Sequence, residues 1–234
     1  MIQAVLFDLD GTLLPMDQDY FISTYMKGLA KKLAPYGYDP EVFMKGMWAG
    51  VKAMILNDGT KTNEEAFWVV FSQTVKENAR DDEPIFEEFY KTEFQEFRTL
   101  CGFNENAVKA VDKIKKMGLR TALATNPLFP SIATESRIRW AGFEPSDFEL
   151  YTTYENSRNC KPNPDYYLDV AAKMGLAPSE CLMVGNDVRD DMVAEKTGMK
   201  VFLLTDCLIN VKNVDISSYP QGSFKELVEY IKTL

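Results

Sequence analysis

The sequence predicts an α/β protein: a parallel sheet with helices on both faces, plus a small all-helical domain inserted after the first strand. Three observations predict it. Short apolar runs alternate with amphipathic segments, once at the start and then from residue 99 onward. Gly118, Gly142, Gly175 and Gly198 stand just past amphipathic segments, where a left-handed cap residue is wanted. Residues 15–98, by contrast, carry helical patterns only. Strand, helix and glycine-terminated return, repeated, is how a parallel sheet with helical crossovers is written.

The elements follow in chain order. Ile2–Phe7 is an apolar run ending at two acids and reads as the first strand. In the insertion, Tyr20–Ala34 reads as a helix stopped by Pro35, and Glu41–Leu56 as one ending before Asn57-Asp58-Gly59. Asn63–Glu77 opens on Thr62-Asn63-Glu64-Glu65, a capping box. Pro84–Arg98 follows Asp81-Asp82-Glu83, acids suited to the positive end of a helix. Met44, Met47, Trp48, Met54, Phe67, Trp68 and Phe71 are expected to pack the insertion's helices and its contact with the sheet. Beyond it, strands are expected at Leu119–Ala124, Glu149–Thr152, Cys181–Val184 and Val201–Leu204. Helices are expected at Asn104–Met117, Ser131–Trp140, Asp165–Met174, Arg189–Thr197 and, closing the chain, Ser223–Thr233. The division is therefore residues 1–14 with 99–234 as the core, and 15–98 as the helical insertion.

Composition narrows the function. With 26 basic and 35 acidic residues the net charge is −9. Nucleic acid and anionic membrane both need a basic footprint and are excluded as partners. A small phosphorylated ligand is not excluded, because charges beyond about 8 Å are screened and the local field decides. No apolar run approaches the roughly 20 residues that span a bilayer. Asp8 interrupts the first apolar run, against a secretory signal. Cys101, Cys160, Cys181 and Cys207 form no Cys-x-x-Cys pair and read as free cytoplasmic thiols. The chain has no histidine. That removes Ser-His-Asp and Cys-His catalysis and histidine-ligated zinc, and leaves proton transfer to carboxylates, Lys, Tyr or water.

Four groups of polar residues fall at or just past strand ends: Asp8 and Asp10; Thr125-Asn126-Pro127; Lys161-Pro162-Asn163-Pro164; and Gly185-Asn186-Asp187 followed by Asp190 and Asp191. Parallel strands bring such ends together on one edge, where open α/β sheets place their chemistry. Buried carboxylates need a counter-charge. A carboxylate can attack phosphorus as a covalent nucleophile, provided a cation neutralises its repulsion from the phosphate; Mg²⁺ held by one or two carboxylates does this. A lysine and a hydroxyl then hold the remaining phosphoryl oxygens. Each group alone also reads blandly, as a turn, a surface lysine or a helix cap; the order and strand context of all four together carry the reading.

Asp8-Leu9-Asp10-Gly11-Thr12, Thr125, Lys161 and Gly185-Asn186-Asp187 with Asp191 resemble, in order and context, the four motifs of the haloacid dehalogenase-like (HAD) hydrolase superfamily. The insertion resembles the helical cap of its phosphoglycolate phosphatase and β-phosphoglucomutase branch. The resemblance implies a Rossmann-like core and an Mg²⁺-dependent phosphatase acting on a small phosphorylated metabolite through an aspartyl-phosphate. It implies Asp8 as nucleophile and metal ligand, and Asp10 as general acid/base with its carbonyl on the metal. It implies Thr125, Asn126 and Lys161 on the phosphate. The family often writes Gly-Asp in the fourth motif; Asn186 here moves that metal ligand to Asp187. Asp191, one helical turn on, either ligates through water or orients Lys161. Asp190 is expected to face solvent or a helix N-terminus. Asp10 favours phosphate-ester chemistry over dehalogenation, which needs no proton for its leaving group. A phosphomutase on the same scaffold is the first alternative. A phospho-accepting signalling module is the second, and Asp10, a base placed to hydrolyse the phosphoryl group, argues against it.

Overall fold

The computed structural model describes all 234 residues. Five parallel strands form one sheet: β1 (Ala4–Phe7), β2 (Arg120–Leu123), β3 (Cys181–Gly185), β4 (Lys200–Leu204) and β5 (Gln221–Gly222), in the order β2-β1-β3-β4-β5. Register places Phe7 opposite both Leu123 and Val184. The carboxyl ends of the three neighbouring strands therefore lie level, and the segments that follow them open onto one edge.

Side chains alternate across the sheet, so each face has its own apolar layer. Val5, Phe7, Leu123, Leu182, Val184 and Phe202 belong to one; α5 (Glu105–Lys116) and α8 (Phe224–Ile231) cover that face. Leu6, Ala122, Met183 and Leu203 belong to the other, under Tyr166, Tyr167 and Val170 of α7 (Pro164–Lys173). A sheet covered on both faces explains why these strands are continuously apolar rather than alternating.

Between β1 and α5 lie α1 (Gln18–Leu33), α2 (Pro40–Ile55), α3 (Asn63–Val75) and α4 (Glu83–Lys91). The capping box of α3 forms as expected: Thr62 and Glu65 exchange side-chain-to-backbone bonds of 2.8 and 3.2 Å. The insertion's aromatic interior is continuous with the core, where Phe94 stacks on Trp140 of α6 (Ser131–Trp140) at 5.1 Å. Trp48, expected inside, is 52% exposed.

Four elements differ from expectation. Glu149–Thr152 does not form a strand; it leaves a single bridge, Leu123 to Tyr151. Thr153 then donates its N–H to the Asn156 side chain and turns the chain away. The fifth strand is instead Gln221–Gly222, two residues without an apolar run to betray it. The helix expected to run to Arg98 breaks at Thr92, whose hydroxyl donates to the Glu88 carbonyl while Gln95 donates to that of Tyr90; a 3₁₀ stretch, Glu93–Leu100, follows. Arg189–Thr197 is helical only from Met192, as a 3₁₀ turn. No helix is long and apolar enough to cross a membrane.

Candidate active site

A cavity of about 110 Å³ opens at the carboxyl edge of the sheet, and all seven residues expected to do chemistry line it: Asp8, Asp10, Thr125, Asn126, Lys161, Asp187 and Asp191. Asp8 follows β1 directly, and its N–H still pairs with the Val184 carbonyl at 2.9 Å. Its side chain is 9% exposed and held from two sides. Oδ1 accepts from Lys161 Nζ at 2.8 Å and Oδ2 from the Thr12 hydroxyl at 3.0 Å. Thr12 sits within reach because the chain reverses at Gly11, which has φ +84°. A Cβ there would lie 2.4 Å from Asn186 Nδ2, so both the turn and the close approach call for glycine. Asn186 Oδ1 lies 2.9 Å from the same hydroxyl and shares its single proton with Asp8.

Lys161 is 2% exposed and lies between two carboxylates, with Asp191 Oδ1 at 2.6 Å on its other side. Burial opposes its charge, but Asp191 and Asp8 outweigh it and hold the ammonium well above the usual lysine range. Burial pushes Asp191 up to about 7, partly offset by Lys161. Asp191 Oδ2 also accepts from the Asp187 N–H at 2.9 Å. Gly185 leaves room for this packing; a Cβ there would lie 2.1 Å from Asp191 Oδ2. Asp187 Oδ1 accepts from the N–H groups of Arg189 and Asp190 at 2.7 and 2.8 Å and shapes the turn after β3. That turn brings Asp190 to the cavity wall, with its side chain 29% exposed. Burial and the neighbouring Asp187 raise the Asp190 carboxyl.

Thr125 lies two residues past β2 and is 2% exposed. Its carbonyl is pinned by Thr152 Oγ1 at 2.7 Å and Tyr166 OH at 2.8 Å. Asn126 Oδ1 accepts from the Lys161 N–H at 3.3 Å. Asn63, wholly buried at the start of α3, donates to the Pro127 carbonyl at 3.3 Å and to Cys160 Sγ at 3.2 Å. The insertion is thereby fastened to both loops, the one that carries Thr125 and Asn126 and the one that carries Lys161.

Asp10 Oδ2 forms an ion pair with Arg137, a residue sequence reasoning missed. Arg137 is fully buried on α6. It donates to the Ala133 carbonyl and the Thr134 hydroxyl, each at 3.3 Å, and its guanidinium lies 4.1 Å from the Phe129 ring. One signal was present: Arg137 is four residues after Ala133 and four before Ala141, on the face that α6 turns inward. Burial raises the Asp10 carboxyl, and Arg137 partly offsets this.

Five carboxylates thus face a cavity whose only lining cation is Lys161. Asp10 Oδ1 is buried and accepts no hydrogen bond. The donors are oxygens throughout, without histidine or cysteine. No three acidic side chains close into a cage by themselves. The oxygen donors fit Mg²⁺, which takes one or two carboxylates and completes its shell with water and substrate oxygens.

The profile of the haloacid dehalogenase-like hydrolase family matches residues 2–198. A stretch of 90 residues is 30% identical to YhcW of Bacillus subtilis and covers 38% of this chain and 40% of that protein. Phosphoglycolate phosphatase of Shigella dysenteriae is 27% identical over 210 residues, covering 83% of this chain and 77% of its own. The crystal structure of a HAD phosphatase from Thermococcus onnurineus superposes with a TM-score of 0.60 at 18% identity, over 98% of each chain. The chain belongs to the haloacid dehalogenase-like hydrolase family, as a phosphoric monoester hydrolase.

Proposed function

We propose that this enzyme hydrolyses phosphate monoesters of small metabolites, with Mg²⁺ bound, through a phosphoryl group carried on Asp8. The observation that carries the reading is the Asp8 carboxylate, buried at the strand end and held 2.8 Å from Lys161 among four further carboxylates. Asp8 Oδ attacks phosphorus and the ester oxygen departs. Lys161, the Thr125 hydroxyl and the Asn126 N–H take the equatorial phosphoryl oxygens, where charge is greatest in the transition state. Asp10 gives its proton to the departing oxygen and then takes one from the water that hydrolyses the aspartyl-phosphate. Asp8, the Asp10 carbonyl and Asp187 would hold the ion; the Asp10 carbonyl accepts from Gln18 Nε2 and keeps a second lone pair. When bound, Mg²⁺ quenches the repulsion between the Asp8 carboxylate and the phosphate dianion. We assign Asp191 to orienting Lys161, because its two oxygens are taken by Lys161 Nζ and the Asp187 N–H. Residues 15–98 act as the cap that covers the site.

The test is phosphate release from a panel of monoesters with Mg²⁺, with EDTA, and with Asp8→Asn. Release that stops with EDTA, returns with Mg²⁺ and falls at least about 10³-fold in Asp8→Asn is expected; undiminished turnover by the variant removes the nucleophile assignment.

A further inference from the structure

A second cavity, of about 190 Å³, lies between α1–α4 and the loops at residues 128–132 and 154–155. Leu128 lines both it and the catalytic cavity, and Tyr25 on its wall packs against Phe129 on the catalytic wall, 5.3 Å between ring centres. It is therefore placed to receive whatever is esterified to the phosphate. Ten of its fifteen lining residues are hydrophobic, and six of them are aromatic rings, Trp68, Tyr90 and Tyr154 among them. The only charged groups are Glu83, Glu87 and Glu155; no lysine or arginine lines it.

The three carboxylates are not equivalent. Glu83 has Arg80 at 3.6 Å, and Glu87 has Lys91 at 3.0 Å. Glu155 has no cation. Its Oε1 accepts from the Ser131 N–H at 2.8 Å, and its Oε2 is buried without a partner. The Trp68 ring, only 4% exposed, lines the same cavity. An unpaired buried carboxylate oxygen is costly, and a cationic ligand relieves it. A positive nitrogen answers Glu155 and is attracted to aromatic faces. A carboxylate or second phosphate would meet the uncompensated Glu155 carboxylate, with no lysine or arginine on the cavity wall to receive it. We propose that the leaving group is a small, largely apolar alcohol carrying a cationic nitrogen, an amine or quaternary ammonium, seated in this cavity beside Glu155 and Trp68. The proposal rests on the phosphatase reading above and adds a substrate class to it. It sets this chain apart from the relatives whose name specifies phosphoglycolate, an ester bearing a carboxylate.

The test compares kcat/KM within isosteric pairs, on the full-length protein with Mg²⁺. The pairs are phosphocholine with 3,3-dimethylbutyl phosphate, and phosphoethanolamine with propyl phosphate. Phosphoglycolate is the anionic probe and 4-nitrophenyl phosphate the control for the chemistry itself. The cationic member is expected to lead each pair at least tenfold, with phosphoglycolate slowest. Glu155→Gln is expected to bring the ratio within each pair close to one. The ratio is taken within one protein, so a general loss of activity cancels, and the variant also corrects for the different acidities of the paired alcohols. Neutral esters that match or beat the cationic ones, or a ratio untouched by Glu155→Gln, overturn the proposal; continued release from 4-nitrophenyl phosphate then leaves the phosphatase reading standing. No release from any ester overturns that reading, and this one with it.

Discussion

Replacing Arg137 with methionine removes the one cation paired with Asp10 while keeping much of the side chain's volume. The pair is deeply set, with side-chain exposures of 1% for Arg137 and 19% for Asp10. Removing one partner of a buried ion pair costs about 3–5 kcal/mol, because the other charge is left uncompensated. Asp10 retains some access to water, which places the loss near the lower end, at about 3 kcal/mol. The guanidinium contact with Phe129 at 4.1 Å adds about 1 kcal/mol. In a chain of this size 1 kcal/mol moves Tm by about 2–4 °C, so a drop of roughly 8–16 °C is expected. Thermal unfolding followed by circular dichroism measures it on Arg137→Met, Asp10→Asn and the double variant. With both charges gone, the double variant should recover about 2 kcal/mol or more relative to the sum of the singles. A loss below 1 kcal/mol in Arg137→Met, or single losses that simply add, would refute the coupling.

Three further outcomes follow from the same geometry. Gly185→Ala should push Asp191 off Lys161, since the new Cβ would lie 2.1 Å from Asp191 Oδ2; kcat should fall at least about tenfold with a stability loss of about 1–3 kcal/mol, and wild-type turnover would argue that Asp191 does not position Lys161. Asn63→Leu leaves the Pro127 carbonyl without its donor and should cost about 1–3 kcal/mol in denaturant unfolding; an unchanged midpoint would discount the clasp. Burial pushes the Cys160 thiol up to about 12, so at pH 8.5 it stays protonated and unreactive. The sign is that of a raised acid, neutral throughout the working range. Peptide mass mapping after iodoacetamide should find Cys160 unlabelled in the native protein and labelled in urea; native labelling at the rate of an exposed thiol would contradict the burial.

Much of the site was legible because its chemistry is local to turns. Asp8, Asp10, Gly11 and Thr12 sit within five residues, and the glycine and threonine have roles set by that one reversal. Thr125 and Asp187 each lie within two residues of a strand end, and an apolar run marks a buried strand. What depended on two distant segments did not read out. Asp10 and Arg137 are 127 residues apart, and α6 by itself offers only an arginine on an inward face. That Asp190 also reaches the cavity depends on a turn closed by Asp187 rather than on a regular helix. Phe67 and Trp68 pack as expected, and that they also line a cavity depends on the distant loop carrying Tyr154 and Glu155.

By itself the amino-acid order determined the parallel α/β architecture, the helical insertion and the oxygen-rich, histidine-free character of the catalytic edge, because burial periodicity and turn chemistry act over a few residues. Tertiary structure alone decided which cation meets which carboxylate, where the sheet ends at β5, and that an acidic aromatic cavity adjoins the cavity of Asp8 and Lys161. Those outcomes depend on how separate apolar surfaces fit when they close together, and no short stretch of sequence encodes that fit.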